Sequence, residues 1–146
     1  MVFKYSYNRL ITLRIYILCK LINIKTNYGS IIKVADIKKD CIKNIIEIAP
    51  ICDKIDYIYI FGSSLELSCK EQSDIDIAII SNIKRNKLFK NKSYDNFTSR
   101  LYSKSLEQDY DILFFESKDD LYADDLICKE ILQKGQILYK RNLDYV

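Results

Sequence analysis

Histidine is absent from this 146-residue chain, and its absence removes several common kinds of active site. A Ser-His-Asp or Cys-His nucleophile needs an imidazole as its general base. A histidine-ligated zinc site is excluded as well. Proton transfer near neutral pH therefore has to fall to a carboxylate, a metal-bound water, a lysine, a cysteine or a tyrosine.

Glycine, proline and paired cysteines are also scarce. Three glycines and one proline are too few for long flexible linkers, which favours one folded domain. The five cysteines are odd in number and form no Cys-x-x-Cys pair, so we expect reduced thiols in a cytoplasmic protein. No apolar stretch reaches the roughly 20 residues of a membrane span, and we expect neither a membrane segment nor a signal peptide.

Strand-like and helix-like segments alternate along the chain, which predicts an α/β (α+β) fold with a small mixed sheet flanked by helices. We divide the chain into an N-terminal helical extension, residues 1–30, and a main domain, residues 31–146. The helical patterns cover 8–24, 34–49 (ended by Pro50), 64–69, 94–107 and the segment after Ser117. The strand patterns cover 57–61, 75–80, 110–115 and 136–139, and 81–93 is expected to be an exposed loop.

One motif lies at the junction of two strand candidates. Gly62-Ser63 ends the first strand, and after a ten-residue spacer Asp74-Ile75-Asp76 opens the second. Residues i and i+2 of a strand point to the same face, so Asp74 and Asp76 are expected side by side. Neighbouring carboxylates repel each other unless a cation lies between them, and hard oxygen ligands suit Mg²⁺ or Mn²⁺. A Gly-Ser turn offers backbone N–H groups and a hydroxyl to a phosphate.

The Gly-Ser turn, the spacer and the Asp-x-Asp pair together resemble the nucleotidyltransferase superfamily of DNA polymerase β. The short chain and its ending, Glu130 to Tyr139, resemble the minimal nucleotidyltransferase branch, and the likeness covers roughly residues 35–140. The resemblance implies the polymerase β-like fold. It also implies a nucleoside triphosphate substrate, expected to be ATP, and three carboxylates that hold two Mg²⁺ ions, with Mn²⁺ as the alternative.

The resemblance also assigns roles to residues of this sequence. Asp74 and Asp76 match the first two metal-binding carboxylates, and Asp111 matches the third, with Asp109 as the fallback. The catalytic residues and metal ligands are therefore expected to be Asp74, Asp76 and Asp111. The expected nucleotide-binding residues are Gly62, Ser63, Ser64 and Ser73.

The phosphate turn departs from the family pattern. Many members read Gly-Ser-x-Ala-Arg-Gly, whereas Glu66 and Leu67 occupy the Arg and second Gly positions here. A negative charge that faced the triphosphate would weaken its binding. This departure bears on turnover more than on the fold.

The resemblance implies an enzyme that transfers AMP to a protein hydroxyl, as the antitoxin of a pair with a HEPN-type toxin in the cytoplasm. Two alternatives stay open, a nucleotidyltransferase for a small molecule such as an antibiotic and a non-catalytic module that binds a nucleotide or a partner. A homodimer is also left open. The cationic run from Lys84 to Lys92 contains one aromatic ring, Phe89, so nucleic acid is not an expected partner. A membrane is not an expected partner either, because no apolar stretch is long enough to span one.

Overall fold

The computed structural model describes residues 19–142. In chain order the strands and helices are β1 (Leu21–Lys25), β2 (Ile31–Ala35), α1 (Lys39–Ile48), β3 (Ile55–Phe61), β4 (Ile75–Ser81), α2 (Arg85–Leu88), α3 (Lys92–Ser103), β5 (Tyr110–Phe115), α4 (Leu126–Lys134) and β6 (Gln136–Lys140). Single 3₁₀ turns lie at Asp36–Lys38, Ala49–Ile51, Gly62–Leu65 and Lys118–Tyr122.

The main sheet has four strands in the order β5-β4-β3-β6. Strand β4 runs parallel to β5 and antiparallel to β3, and β3 runs antiparallel to β6. The prediction of a small mixed sheet flanked by helices is therefore confirmed. Strand β4 lies inside the sheet and is buried on both faces, as its nearly unbroken apolar run predicts.

The two faces of the sheet are covered by different elements. On one face Ile75, Ile77 and Ile79 of β4 join a large core with α1, α3 and the β1–β2 hairpin. On the other face Ala78 and Ile80 join a smaller core that includes a buried residue of α4. Since side chains alternate along a strand, Asp76 points to the smaller-core face, beneath which α4 packs.

The helix predicted over 8–24 is wrong where the structure describes it, because β1 is a strand. Its five residues pair antiparallel with β2, and the chain reverses through a turn in which Gly29 has φ of +86°. Ile32 and Val34 of β2 are buried while Lys33 between them is exposed, which is the period of a half-buried strand. Residues 8–18 of the predicted helix lie outside the described residues, and the division of the chain at residue 30 stays a prediction.

Several other predicted bounds need correction. The helix predicted over 34–49 begins at Lys39, because residues 34 and 35 belong to β2, and it ends before Pro50 as expected. The loop predicted over 81–93 contains α2 and the start of α3, whose first turn is capped by the Asn91 side chain accepting from the Tyr94 N–H. The helix predicted over 94–107 ends at Ser103, and the one over 64–69 is a single 3₁₀ turn.

The remaining elements agree with the sequence pattern. The predicted strands at 57–61, 110–115 and 136–139 are present within a residue or two of their expected bounds. The capping box between Ser117 and Asp120 is present, at the start of a 3₁₀ turn. No helix among residues 19–142 has the length and the apolar content needed to cross a bilayer.

Candidate active site

Asp76 and Asp111 face each other across the parallel pair of strands β4 and β5. The register places the two residues directly opposite, and both lie on the smaller-core face of the sheet. Burial, followed by the charge of Asp111 and a hydrogen bond with its carboxyl group, raises the pKa of Asp76 to about 6. Asp74 and Glu130 add to this effect with their own negative charges.

Asp74 lies immediately before the first residue of β4 and is half-buried. It is two residues from Asp76, so alternation along the strand directs the two side chains toward the same face, as the sequence predicts. The start of β4 is fixed beside the start of β5 by a hydrogen bond of 3.1 Å from the Ile75 N–H to the Asp109 carbonyl oxygen. The first residues of two adjacent parallel strands thus bring the three predicted carboxylates to one end of the sheet.

The chemistry of this donor set suits a hard divalent cation. Two carboxylates in contact raise the pKa of one of them, and a cation between them would remove that repulsion. Mg²⁺ and Mn²⁺ prefer such oxygen ligands. Among residues 19–142, no group of three acidic or cysteine side chains is placed to hold a metal ion, so the three-ligand arrangement stays a prediction.

Gly62 forms the turn that lies against Asp76. It follows Phe61, which pairs with Asp76 across β3 and β4, and its φ of +73° is a conformation that other residues rarely adopt. A Cβ atom at this position would run into the Oδ2 atom of Asp76. The glycine is therefore required twice, once by its backbone conformation and once by the close approach of a site carboxylate.

The three predicted serines have different surroundings. Ser63 is half-buried within the turn. Ser64 is fully buried, and its hydroxyl has no hydrogen-bond partner in the described part of the chain. The Ser73 hydroxyl accepts a hydrogen bond of 3.1 Å from the Lys70 N–H, which holds the spacer in a turn just before Asp74. Nucleotide contact by these residues stays a prediction.

Glu66 and Leu67, the two departures from the family pattern, are both exposed. The Glu66 carboxylate accepts a hydrogen bond of 3.3 Å from the Ser68 hydroxyl. The backbone N–H of Glu66 donates to the Ser63 carbonyl oxygen at 3.0 Å, which closes the phosphate turn. The backbone of Glu66 therefore belongs to the turn, while its side chain lies at the surface and is hydrogen-bonded to Ser68.

Comparison with known proteins decides the family. The sequence profile described as "Polymerase beta, Nucleotidyltransferase" matches residues 43–144, which include the turn, Asp74, Asp76 and Asp111. The chain belongs to this family. It thus carries a nucleotidyltransferase domain with the polymerase β-like fold, as the resemblance implies.

Solved structures of toxin–antitoxin complexes have chains similar to this nucleotidyltransferase. One is the tri-AMPylated HEPN toxin of Shewanella oneidensis in complex with its MNT antitoxin, at 22% identity and a TM-score of 0.44, covering 74% of this chain and 76% of that chain. Another is a toxin–antitoxin with AMP-PNP, at 22% identity and a TM-score of 0.47, covering 70% and 76%. A likeness of this size leaves the substrate and partner of this chain open. A search of curated protein sequences finds no significant match.

The sequence reasoning misses three residues near the site of this nucleotidyltransferase: Glu130, Lys38 and Gln108. Glu130 on α4 acts on the pKa of Asp76 through its charge. Lys38, immediately before α1, is buried and contacts both Gln108 and the spacer. A signal for Lys38 exists in the sequence, because it falls at helical spacing from Cys41, Ile42 and Ile45 on the apolar face of α1.

Proposed function

We propose that this nucleotidyltransferase transfers AMP from ATP to a hydroxyl group of a protein. The observation that carries the proposal is the contact between Asp76 and Asp111 at the starts of two parallel strands, with the Gly62 turn packed against one of them. Paired carboxylates beside a phosphate-binding turn are suited to nucleotidyl transfer. The absence of histidine from the chain leaves carboxylates as the natural groups for proton transfer.

Each site residue then has a role in an in-line displacement at the α-phosphorus. The acceptor oxygen forms a bond to that phosphorus as the bond to pyrophosphate breaks. Asp74, Asp76 and Asp111 would hold Mg²⁺, which when bound neutralises triphosphate charge and lowers the pKa of the acceptor hydroxyl. Asp111, the exposed member of the pair, takes the proton of that hydroxyl.

Phosphate binding falls to the turn that follows β3. Gly62 and Ser63 present backbone N–H groups and one hydroxyl to the β- and γ-phosphates, since a glycine turn before a helical segment is suited to anions. Ser64 and Ser73 complete the proposed nucleotide-binding set by supporting the turn and the spacer. Ser64 is the buried residue of the turn, and Ser73 holds the spacer that returns to Asp74.

A protein acceptor is supported by exposed apolar side chains on and just before α4, the helix that carries Glu130. Leu126 is 86% exposed and lies one helical turn before Glu130, whose charge reaches Asp76. Tyr122, in the preceding 3₁₀ turn, is 73% exposed. Neighbouring exposed apolar side chains favour a protein contact. We extend the proposal to a HEPN-type toxin in the cytoplasm as the acceptor, the partner that the resemblance to the minimal branch implies.

The test is transfer of label from ATP carrying ³²P at the α-phosphate to the protein product of the neighbouring gene. With Mg²⁺ we expect a labelled acceptor band, and we expect Asp76→Asn and Asp111→Asn to lower the initial rate at least about a hundredfold. Asp95→Asn, an exposed aspartate on α3, is the matched control and is expected to label at the wild-type rate. Equal labelling by wild type and both site variants would reject the proposal.

The choice between Asp111 and its fallback needs one further variant. Asp109 precedes β5, is exposed, and contributes its backbone carbonyl to the Ile75 N–H. Because Asp111 is the residue that contacts Asp76, Asp109→Asn is expected to retain most of the labelling rate. A larger loss in Asp109→Asn than in Asp111→Asn would move the third role to Asp109.

The exposed Glu66 gives one specific reason to test a non-catalytic module as well. Such a module would bind a nucleotide or a partner without turnover. Wild type that binds Mg²⁺-ATP in calorimetry yet labels neither the neighbouring gene product nor the proteins of a host lysate would favour this alternative. Labelling of a small-molecule antibiotic instead of a protein would favour the second alternative, a small-molecule nucleotidyltransferase.

A further inference from the structure

Lys38 is among the largest fully buried side chains of residues 19–142, although it ends in a charged ammonium group. It lies in the 3₁₀ turn that leads into α1, and its residue is 2% exposed. Burial lowers the pKa of Lys38, while the nearby Cys69 and Cys41, followed by Asp74 and Glu71, act in the opposite direction. Burying an ammonium group costs free energy unless the group is hydrogen-bonded. Core packing alone therefore does not explain why Lys38 is buried.

The ammonium of Lys38 makes two short hydrogen bonds to different parts of the chain. Its Nζ atom donates to the carbonyl oxygen of Glu71 in the spacer at 2.8 Å. It also donates to the Oε1 atom of Gln108, just before β5, at 2.7 Å. Lys38 thus joins the start of α1 to the two segments that lead into the carboxylate-bearing strands.

Gln108 continues the connection with its amide nitrogen. The Nε2 atom donates to the carbonyl oxygen of Ser73 at 3.2 Å and to that of Asp109 at 2.7 Å. Ser73 is the residue before Asp74, and Asp109 is two residues before Asp111. A single buried amide therefore fixes the approach to one aspartate relative to the approach to the other.

The spacer is held in its first half by a hydrogen bond of 3.1 Å from the Cys19 N–H to the Leu67 carbonyl oxygen. Cys69 is a buried apolar residue of the spacer. Six other spacer residues are exposed, namely Glu66, Leu67, Ser68, Lys70, Glu71 and Gln72. Exposed segments with little apolar contact open at low free energy. The second half of the spacer forms a local turn between Lys70 and Ser73. Lys38 and Gln108 join this turn to the rest of the chain through the carbonyl oxygens of Glu71 and Ser73.

We propose that Lys38 and Gln108 act as a positioning pair that sets Asp74 relative to Asp111 and so determines the affinity of the site for a divalent cation. The inference rests on the proposed function, since it concerns the same carboxylates. Groups that orient metal ligands from behind typically change metal affinity by about 10- to 100-fold when they are replaced. Neither residue touches the reacting atoms.

Two variants separate the parts of this pair. Lys38→Met keeps most of the buried stem and removes both ammonium hydrogen bonds. Gln108→Glu keeps an oxygen acceptor for Lys38 and removes the two donations to Ser73 and Asp109. The stability control is Ile48→Val, which deletes a buried methyl group from α1 without touching the network.

The first readout is amide hydrogen exchange of the metal-free protein. In both variants we expect residues 70–76 to exchange at least about tenfold faster than in wild type, while β6 and the Ile48→Val control do not change. Exchange that is unchanged in residues 70–76 overturns the inference, because the spacer would then be held by other contacts.

The second readout is the binding of Mn²⁺ with a non-hydrolysable ATP analogue, measured by calorimetry. Both variants are expected to raise the Mn²⁺ dissociation constant by about tenfold, and the double variant to raise it no further, since the two residues act as one unit. Faster exchange with unchanged Mn²⁺ affinity would make the pair merely structural and overturn the positioning role. Wild type that binds no Mn²⁺ would instead reject the proposed function and this inference together.

Discussion

Replacing Gly62 by alanine isolates the contact between the phosphate turn and the site carboxylate. A methyl group at this position is strained by φ of +73° and collides with the Oδ2 atom of Asp76. The left-handed conformation costs a non-glycine residue about 1–2 kcal/mol, and a side chain driven about 30° from its rotamer costs on the order of 1 kcal/mol more. We therefore expect Gly62→Ala to lose about 2–3 kcal/mol of unfolding free energy.

Gly29 provides a matched control for the backbone part of this effect. Its φ is +86°, but a Cβ atom there would meet nothing within 4 Å. Gly29→Ala should therefore lose the conformational cost alone, about 1–2 kcal/mol. The difference between the two variants, about 1 kcal/mol, measures the displacement of Asp76.

Urea denaturation followed by circular dichroism measures the two stabilities, and the labelling assay measures function. The account predicts that Gly62→Ala loses at least about tenfold in transfer rate because Asp76 must move, whereas Gly29→Ala transfers normally below its unfolding transition. Equal transfer by Gly62→Ala and Gly29→Ala would refute the reasoning, since it would mean that Asp76 is not held against the turn.

Three further changes have expected outcomes of known sign. Glu66→Gln should tighten Mg²⁺-ATP binding in calorimetry by about two- to threefold, as expected for one exposed charge, and 1 M salt should abolish the gain; weaker binding would contradict it. Ile77→Ala, at a fully buried position of β4, should cost about 2–5 kcal/mol in urea denaturation, and a loss below 1 kcal/mol would argue against its burial. The Asp125 carboxylate accepts from the Cys128 N–H, which lowers the pKa of Asp125. Asp125→Ala should lower the free energy of unfolding at pH 7. The difference in this free energy from wild type should shrink as pH falls through the folded-state pKa of Asp125, because the hydrogen bond stabilises the ionised carboxylate; a difference independent of pH would contradict this.

The strands of the main sheet and the shared face of Asp74 and Asp76 are predictable from the short-range sequence pattern. An unbroken isoleucine-rich run such as that of β4 indicates a strand covered on both faces, and residues two apart on it share a face. The Gly62 turn marks where β3 ends. The position of Asp111 opposite Asp76 is a different matter, because the register of β4 and β5 is set by strand pairing and is visible only in the structure.

The N-terminal hairpin and the Lys38 network show where sequence reasoning fails. The apolar residues before Lys25 fit a helix as well as a strand, and pairing with β2 decides for the strand. Lys38 lies in the 3₁₀ turn before α1, in line with the apolar face of that helix, where a lysine is normally expected at the boundary with solvent. Its two hydrogen-bond partners, Glu71 and Gln108, come from 33 and 70 residues further along the chain, and no local sequence pattern predicts them.

Calorimetric binding of a non-hydrolysable ATP analogue, with Mg²⁺ and with a chelator, tests the central claim most directly. If Asp76 and Asp111 form a cation-dependent nucleotide site, wild type should bind at least about tenfold more tightly with Mg²⁺, and Asp76→Asn and Asp111→Asn should lose that gain. Asp95→Asn should keep it. Binding of equal strength with the chelator, or an undiminished Mg²⁺ effect in Asp76→Asn, would contradict the account.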